Sequence, residues 1–207
     1  MEYTERLIFE GKCCMLKEEL KIISVRQIRI CRGDKCMIYL VRQGQTDWNL
    51  FRRFNGVTET FLNQNGIEQA KKQAEELKDI EFDICFCSPQ MRAVQTGEII
   101  YKGKMILDER LAEIDCGEFE GTEENGESMR LFWQAIKTGD RGTESFDVFM
   151  KRNASFCNML SEDYMQKNVL IITHAANARI INYYLSGKPE KYDFTKAVAQ
   201  DGEILKY

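Results

Sequence analysis

Three short, mostly apolar runs, separated by segments of helical periodicity, constrain the fold of this chain more than any other feature. They lie at residues 38–41, 82–87 and 168–173, and each ends at a polar, charged or turn-forming residue. Such runs are typical of strands buried on both faces of a parallel sheet. Strands that alternate with helices predict an α/β protein with a three-layer, doubly wound, mostly parallel sheet and helices on both faces.

Apolar positions at helical spacing, a proline that can start a helix and a serine that can cap one together predict four helices between the strands. They lie at about 67–77, 90–101, 145–160 and 176–185. The other predicted elements are turns at Asn55-Gly56 and Asn65-Gly66, a short strand at 104–107, a loop at 111–121, a polar insertion at 122–145 and a closing hairpin at 197–205.

The chain divides into a main domain, expected over residues 37–207, and an N-terminal extension over residues 1–36. The extension contains short apolar runs and an alternating segment from Val25 to Ile30. These patterns predict a strand or hairpin packed on the edge of the main domain. The extension is also a candidate interaction surface.

Composition excludes several classes of protein. The net charge is −4, so we expect no nucleic-acid partner and no binding to an anionic membrane. Apolar runs are too short to span a bilayer, and Glu2, Glu5 and Arg6 stand where a signal peptide needs an apolar core, which favours the cytoplasm. The eight cysteines are expected as free thiols, and their spacing does not favour a zinc site.

Charged side chains follow the predicted strands at corresponding places. Arg42 follows the first strand, Arg92 opens the helix after the second, and His174 ends the last. The carboxyl ends of parallel strands share one edge of a doubly wound sheet, so these side chains are expected to meet in one crevice. Two guanidiniums, an imidazole and helix N-termini suit a phosphoryl dianion, and Glu113 can protonate a leaving oxygen.

Four motifs, in this order, resemble those of the histidine phosphatase superfamily, which has the phosphoglycerate-mutase-like fold. They are Leu40-Val-Arg-Gln-Gly-Gln-Thr46 with Trp48-Asn49, Ser88-Pro-Gln-Met-Arg-Ala-Val-Gln-Thr96, Leu111-Ala-Glu-Ile-Asp-Cys-Gly-Glu-Phe-Glu-Gly121 and Ile171-Ile-Thr-His-Ala175. The resemblance covers residues 37 to about 207. The segment after Glu113 resembles the small phosphatase branch more than the mutases.

The resemblance implies a role for each matching position. The phosphate-binding positions are Arg42, Asn49, Arg92, His174 and Ala175, the last standing where the family usually has glycine. Glu113 matches the proton donor, and His174 also belongs to the catalytic set. The implied ligand is a small phosphorylated compound, with no metal or organic cofactor, and a homodimer is left open. We expect residues 122–145, including Phe132 and Trp133, either to set the substrate or to pack in the core.

Gln43 occupies the position of the histidine that the family phosphorylates in each turnover. A neutral imidazole has a basic lone pair that can attack phosphorus, whereas the nitrogen lone pair of a carboxamide is delocalised. Gln43 can still donate a hydrogen bond to a phosphate oxygen. Loss of a covalent nucleophile costs on the order of 10⁴ to 10⁶ in rate. We therefore expect a pocket that binds phosphate esters and turns them over poorly or not at all.

Two functions remain open at this point. The first is a phosphatase disabled at one residue, by natural variation or by a deliberate replacement that traps substrate. The second is a non-catalytic protein, a pseudophosphatase, that senses a phosphorylated metabolite or docks a partner. Attack by His174, the single histidine of the chain, would require the leaving group to reverse direction relative to Glu113.

Overall fold

The computed structural model describes residues 37–164, 166–187 and 204–207. Five strands form one sheet in the order β3-β2-β4-β1-β5. The strands are β1 (Ile38–Arg42), β2 (Ile84–Cys87), β3 (Ile106–Leu107), β4 (Val169–Thr173) and β5 (Ile204–Lys206). The helices are α1 (Asp47–Leu50), α2 (Gln64–Leu77), α3 (Met91–Ile100), α4 (Gly126–Ala135), α5 (Phe146–Asp163) and α6 (Ala175–Leu185).

The sheet is mostly parallel, as predicted. Strand β4 is central and pairs in parallel with β1 and β2, β2 pairs in parallel with β3, and β5 runs antiparallel to β1. Because successive side chains of a strand point to opposite faces, the strands contribute to two separate cores. The three-layer, doubly wound α/β class is therefore confirmed.

Each core joins one face of the sheet to a different set of helices. Leu40, Phe86 and Ile171 pack with the inner faces of α4, α5 and α6. On the other face Val41 and Ile172 pack with side chains of α2 and α3. Burial at this scale stabilises each large apolar side chain by about 1.5–3 kcal/mol.

Helix starts follow the predicted caps. The Ser145 hydroxyl accepts the N–H of Val148 at the start of α5. Helix α3 begins just after Pro89 and ends before Tyr101, and α6 ends before Gly187, which has a φ of 77°. Only glycine adopts that left-handed conformation without a steric penalty, which explains why the helix stops there.

One local prediction is wrong, and one helix was not predicted. Asn65-Gly66 lies in the first turn of α2, because Asn63 caps the helix earlier by accepting the N–H of Gly66 at 2.9 Å. The insertion at 122–145 contains α4, whose Phe132 is buried and packs on Phe54 at a centroid distance of 5.0 Å. Phe132 is thus a core residue and lies on the inner face of α4.

The cysteines at positions 85, 87, 116 and 157 are buried and not in disulfide bonds. Burial raises the pKa of Cys85 to about 12, so the thiol stays protonated and unreactive. Residues 1–36 and 188–203 lie outside the described residues, as does the Asp-Gly turn of the predicted hairpin. Within the described part of the chain, no helix is both long and apolar enough to cross a membrane.

Candidate active site

The carboxyl edge of the sheet brings together three chain segments that are distant in sequence. Register pairs Arg42 with Thr173 across β1 and β4, and the N–H of Gln43 donates to the Thr173 carbonyl at 2.9 Å. On the other side of β4, the N–H of Ser88 donates to the Ile172 carbonyl at 2.9 Å. His174, which follows β4, therefore lies between the ends of β1 and β2.

Gln43 is buried at this edge, and the oxygen of its side chain has no partner among the described residues. It is only 2% exposed, and its Oε1 accepts no hydrogen bond from any described residue. The next residue, Gly44, passes so close to α2 that a Cβ there would lie 2.4 Å from the Gly66 carbonyl oxygen. The backbone after β1 is thus fixed, and the buried amide oxygen of Gln43 has no donor among the described residues.

Arg92 is a fully buried cation, 0% exposed. Its Nη1 donates to the Thr58 carbonyl at 3.1 Å, and its Nη2 donates to the carbonyls of Gly56 at 2.6 Å and Asn55 at 3.3 Å. Its Nε has no partner among the described residues. Burial lowers the Arg92 pKa, against the opposing effect of Glu113, yet a guanidinium stays protonated. Arg92 therefore holds the 55–58 loop, and its Nε–H remains without an acceptor among the described residues.

His174 is a buried imidazole held by one short contact. Its Nε2 lies 2.7 Å from Ser88 Oγ, and its Nδ1 has no partner among the described residues. Burial lowers the pKa of His174 well below 6.5, and the positive charges of Arg92, Arg42 and Arg152 lower it further. The ring is therefore neutral at pH 7.

Glu113 is buried at the start of α6. One carboxylate oxygen accepts the N–H of Ala176 at 3.0 Å and the other accepts the N–H of Ile114 at 3.1 Å. A helix N-terminus favours negative charge, so the location suits a carboxylate. Ala175 is the first residue of α6, where N–H groups have no intrahelical acceptor. Its backbone donor is retained although the family usually has glycine here.

Asn49, which the motifs assign to phosphate binding, lies in α1. Its Oδ1 accepts from the N–H of Thr46 at 3.1 Å and from Thr46 Oγ1 at 2.9 Å, which completes a capping box. The carbonyl end of the Asn49 side chain is thus committed to the helix.

Several side chains that hold the site together have no signal in the sequence that singles them out. Arg152 makes a two-point ion pair with Glu144 at 2.7 and 2.8 Å and donates to the Ala112 and Glu113 carbonyls at 2.6 and 3.1 Å. Gln90 accepts the N–H of Glu113 at 2.8 Å and donates to the Gly56 carbonyl at 2.7 Å. Each of them joins loops that only the tertiary fold brings together.

Two further carboxylates lie around these loops. Glu120 accepts the N–H groups of Gly56 at 3.1 Å and Val57 at 2.8 Å. Burial raises the pKa of Glu124, against the opposing charges of Arg52, Arg179 and Arg42. Arginines and carboxylates therefore both surround these loops, in a protein of net negative charge.

A family model for the histidine phosphatase superfamily (branch 1) matches residues 38–198, a span that contains all the site residues described above. The chain belongs to this superfamily. The branch-1 match, together with the mostly parallel sheet, confirms the fold and the family that the four motifs predict.

Curated relatives and solved structures agree with the family. The chain is 32% identical over 167 residues to the uncharacterised phosphatase PhoE of Bacillus subtilis, covering 78% of this chain and 83% of the relative. It is 28% identical over 165 residues to the adenosylcobalamin/alpha-ribazole phosphatase of Escherichia coli, covering 73% of this chain and 80% of the relative. The phosphoserine phosphatase of Entamoeba histolytica, solved with 3-phosphoglyceric acid, superposes with a TM-score of 0.68 at 26% identity, covering 83% and 89%.

The donors at the edge of this histidine phosphatase fold define its chemistry. Arginine, amide and imidazole N–H groups can surround the oxygens of a phosphoryl group, and a carboxyl group can transfer a proton. Among residues 37–164, 166–187 and 204–207, no group of three or more His, Cys, Asp or Glu is arranged to hold a metal ion.

We expect the stability of the protein to fall on mild acidification because of His174. Its pKa is lowered in the folded state, so below about pH 6.5 the unfolded chain binds a proton that the folded state does not. The free energy of unfolding should be about 1.4 kcal/mol lower at pH 5.5 than at pH 7.5, measured by urea unfolding at both values. The difference should disappear in His174→Asn. An unchanged urea midpoint in the unsubstituted protein would contradict it.

Proposed function

We propose that this protein binds phosphate monoesters at the edge of the sheet. We further propose that it hydrolyses them poorly or not at all, because Gln43 cannot form the phosphohistidine of the family reaction. The carrying observation is Gln43, an amide side chain buried at the end of β1, at the position where the family has its nucleophile. An amide at that place can bind a phosphoryl oxygen through its N–H₂ group but cannot form the covalent intermediate.

The donors around Gln43 support binding. Arg92 keeps its Nε without a partner, although its other nitrogens hold the 55–58 loop. Arg42 lies at the end of β1, and His174 and the first turn of α6 lie beside it. Because these donors are fixed before a ligand arrives, a phosphate dianion would meet them without a large ordering cost.

The names of the relatives support the ligand class. PhoE is named a phosphatase, the Escherichia coli relative is named an adenosylcobalamin/alpha-ribazole phosphatase, and the Entamoeba histolytica phosphoserine phosphatase was solved with 3-phosphoglyceric acid. Phosphatase chemistry is common to these names. We extend phosphorylated ligands as a class, and no individual substrate, to this chain.

The second candidate is a pseudophosphatase that uses the same pocket to sense a phosphorylated metabolite. The observation that favours it is the completeness of the remaining site: Glu113 keeps both its backbone contacts, and Arg152 and Gln90 still hold the loop that carries it. A sensor needs saturable binding and no turnover, whereas a disabled enzyme should recover turnover when the nucleophile is restored.

Binding is tested by thermal shift with inorganic phosphate, vanadate and phosphomonoesters. A ligand that binds only the folded state should stabilise it by about 2.7 kcal/mol at a hundredfold excess over its Kd. The melting temperature should rise with ligand concentration as this relation requires. Arg42→Ala should remove most of the shift. Arg53, which is exposed and donates to the Gly121 carbonyl at 2.8 Å, provides the matched control: Arg53→Ala should keep it.

The outcomes separate the candidates. Saturable binding without turnover, even at long incubation, agrees with both forms of the proposal, and the nucleophile replacement considered in the Discussion then distinguishes them. No shift with any phosphorylated ligand would overturn the proposed phosphate site.

A further inference from the structure

We propose that Ser88 and Gln90 fix the tautomer of His174, so that its Nδ1 carries the proton and serves as a hydrogen-bond donor to the bound phosphoryl group. Ser88 and Gln90 are positioning residues in this proposal, since they act through His174. The consequence for phosphate rests on the proposed function. The tautomer itself does not, because it is set by contacts within the protein.

The length of the contact between Ser88 and His174 is the first observation. Ser88 Oγ and His174 Nε2 are 2.7 Å apart, and both residues are at most 1% exposed. Hydrogen bonds with a hydroxyl donor are most often 2.7–2.8 Å long, whereas those with a ring N–H donor are most often near 2.9–3.0 Å, each within about 0.2 Å. The short distance favours the hydroxyl as donor and Nε2 as acceptor.

The surroundings of Ser88 point the same way. The backbone N–H of Gln90 donates to Ser88 Oγ at 3.4 Å, so an acceptor site of the hydroxyl is already in use. The alternative acceptor for the hydroxyl proton, Gln90 Oε1, lies at 3.5 Å and already accepts the N–H of Glu113 at 2.8 Å. The nearest and least occupied acceptor for the Ser88 proton is therefore His174 Nε2.

The remaining ring nitrogen then has the properties of a donor. A neutral imidazole has one N–H, and with Nε2 acting as acceptor the proton resides on Nδ1. His174 precedes α6 but makes no side-chain cap to the helix, so Nδ1 does not accept a backbone N–H there. It is buried without a partner among the described residues, in a cluster of positive charges. The Nδ1–H of His174 thus lacks an acceptor within the described part of the protein, and an oxygen of a bound phosphoryl group would supply one.

The tautomer has a direct spectroscopic test because the chain contains one histidine. A long-range ¹H–¹⁵N spectrum of the ligand-free protein at pH 7.5, labelled at histidine nitrogens, shows one ring. We expect Nδ1 at a protonated and Nε2 at an unprotonated chemical shift. The opposite assignment, with the proton on Nε2, would overturn the proposal whether or not phosphate binds.

Variants at Ser88 test the cause. In Ser88→Ala the ratio of the Nδ1–H to the Nε2–H form should fall roughly 2- to 12-fold, the range that one net hydrogen bond supplies. Ser88→Thr, which keeps the hydroxyl, should restore the ratio, and Ser161→Ala, a serine outside the site, should leave it unchanged. A merely structural role for Ser88 would lower stability without moving the tautomer ratio, and that result would overturn the proposal.

The link to phosphate is measured separately by titration with vanadate. If the tautomer is as proposed and vanadate binds, the His174 Nδ1 resonance should shift on saturation, and the affinity in Ser88→Ala should fall in proportion to the fraction of His174 that remains in the Nδ1–H form. Binding that leaves the ring resonances unchanged would overturn the donor role. Absence of any binding, with the expected tautomer present, would instead count against the proposed function.

Discussion

Gln43→His should convert this protein into an active phosphomonoesterase, with a gain in rate on the order of 10⁴ or more. The introduced imidazole would replace a buried amide at the end of β1, where the backbone N–H is already fixed by the Thr173 carbonyl at 2.9 Å. Its lone pair can attack phosphorus, the bond to the leaving oxygen breaks, and Glu113 in its acid form gives that oxygen a proton. Water then releases phosphate from the phosphohistidine.

The measurement is hydrolysis of p-nitrophenyl phosphate, together with detection of acid-labile phosphohistidine. Gln43→Asn is the matched control, since it remains an amide and should gain nothing. Gln43→His with Glu113→Gln should form the phosphohistidine slowly from an ester with a poor leaving group. A folded Gln43→His protein without turnover would count heavily against a disabled enzyme and leave the sensor.

The unsubstituted protein supplies a further control because its single histidine is His174. Incubation with a phosphate donor should give no acid-labile phosphohistidine. If the unsubstituted chain is phosphorylated in this way, His174 is itself a nucleophile and the role assigned to Gln43 is wrong.

Arg92→Met should destabilise the fold by about 3 kcal/mol or more, since three backbone carbonyls each lose a charged donor at about 1–3 kcal/mol. The Arg92 guanidinium donates to Asn55, Gly56 and Thr58 and is 0% exposed. Methionine has a similar length and no donor. At about 2–4 °C per kcal/mol for a domain of this size, the melting temperature should fall by roughly 6–12 °C.

Urea unfolding compares Arg92→Met with Arg53→Met, because Arg53 also donates to a backbone carbonyl but is exposed. Arg53→Met should change the free energy of unfolding by about 0.5 kcal/mol or less. Phosphate binding should be lost in Arg92→Met and retained in Arg53→Met. Equal urea midpoints for Arg92→Met and the unsubstituted protein would show that the guanidinium does not hold the 55–58 loop.

The sequence was sufficient for the parts of the fold that depend on local periodicity. The apolar runs became β1, β2 and β4, and Ser145 capped α5 as predicted. Helix α4 was missed because its segment is polar and contains glycine, and its apolar stripe, centred on Phe132, becomes evident only when packed against Phe54.

The family follows from the sequence alone, since motif order and residue identity need no coordinates. The hypothesis that Gln43 occupies the nucleophile position rests on the same motifs. The tertiary structure decided what each side chain contacts. Arg92 turns to carbonyls 34 to 37 residues away, and Ser88 meets His174 across 86 residues. Such contacts depend on the packing of distant strands and loops, which fixes side-chain direction and burial, and neither quantity is encoded in a local pattern.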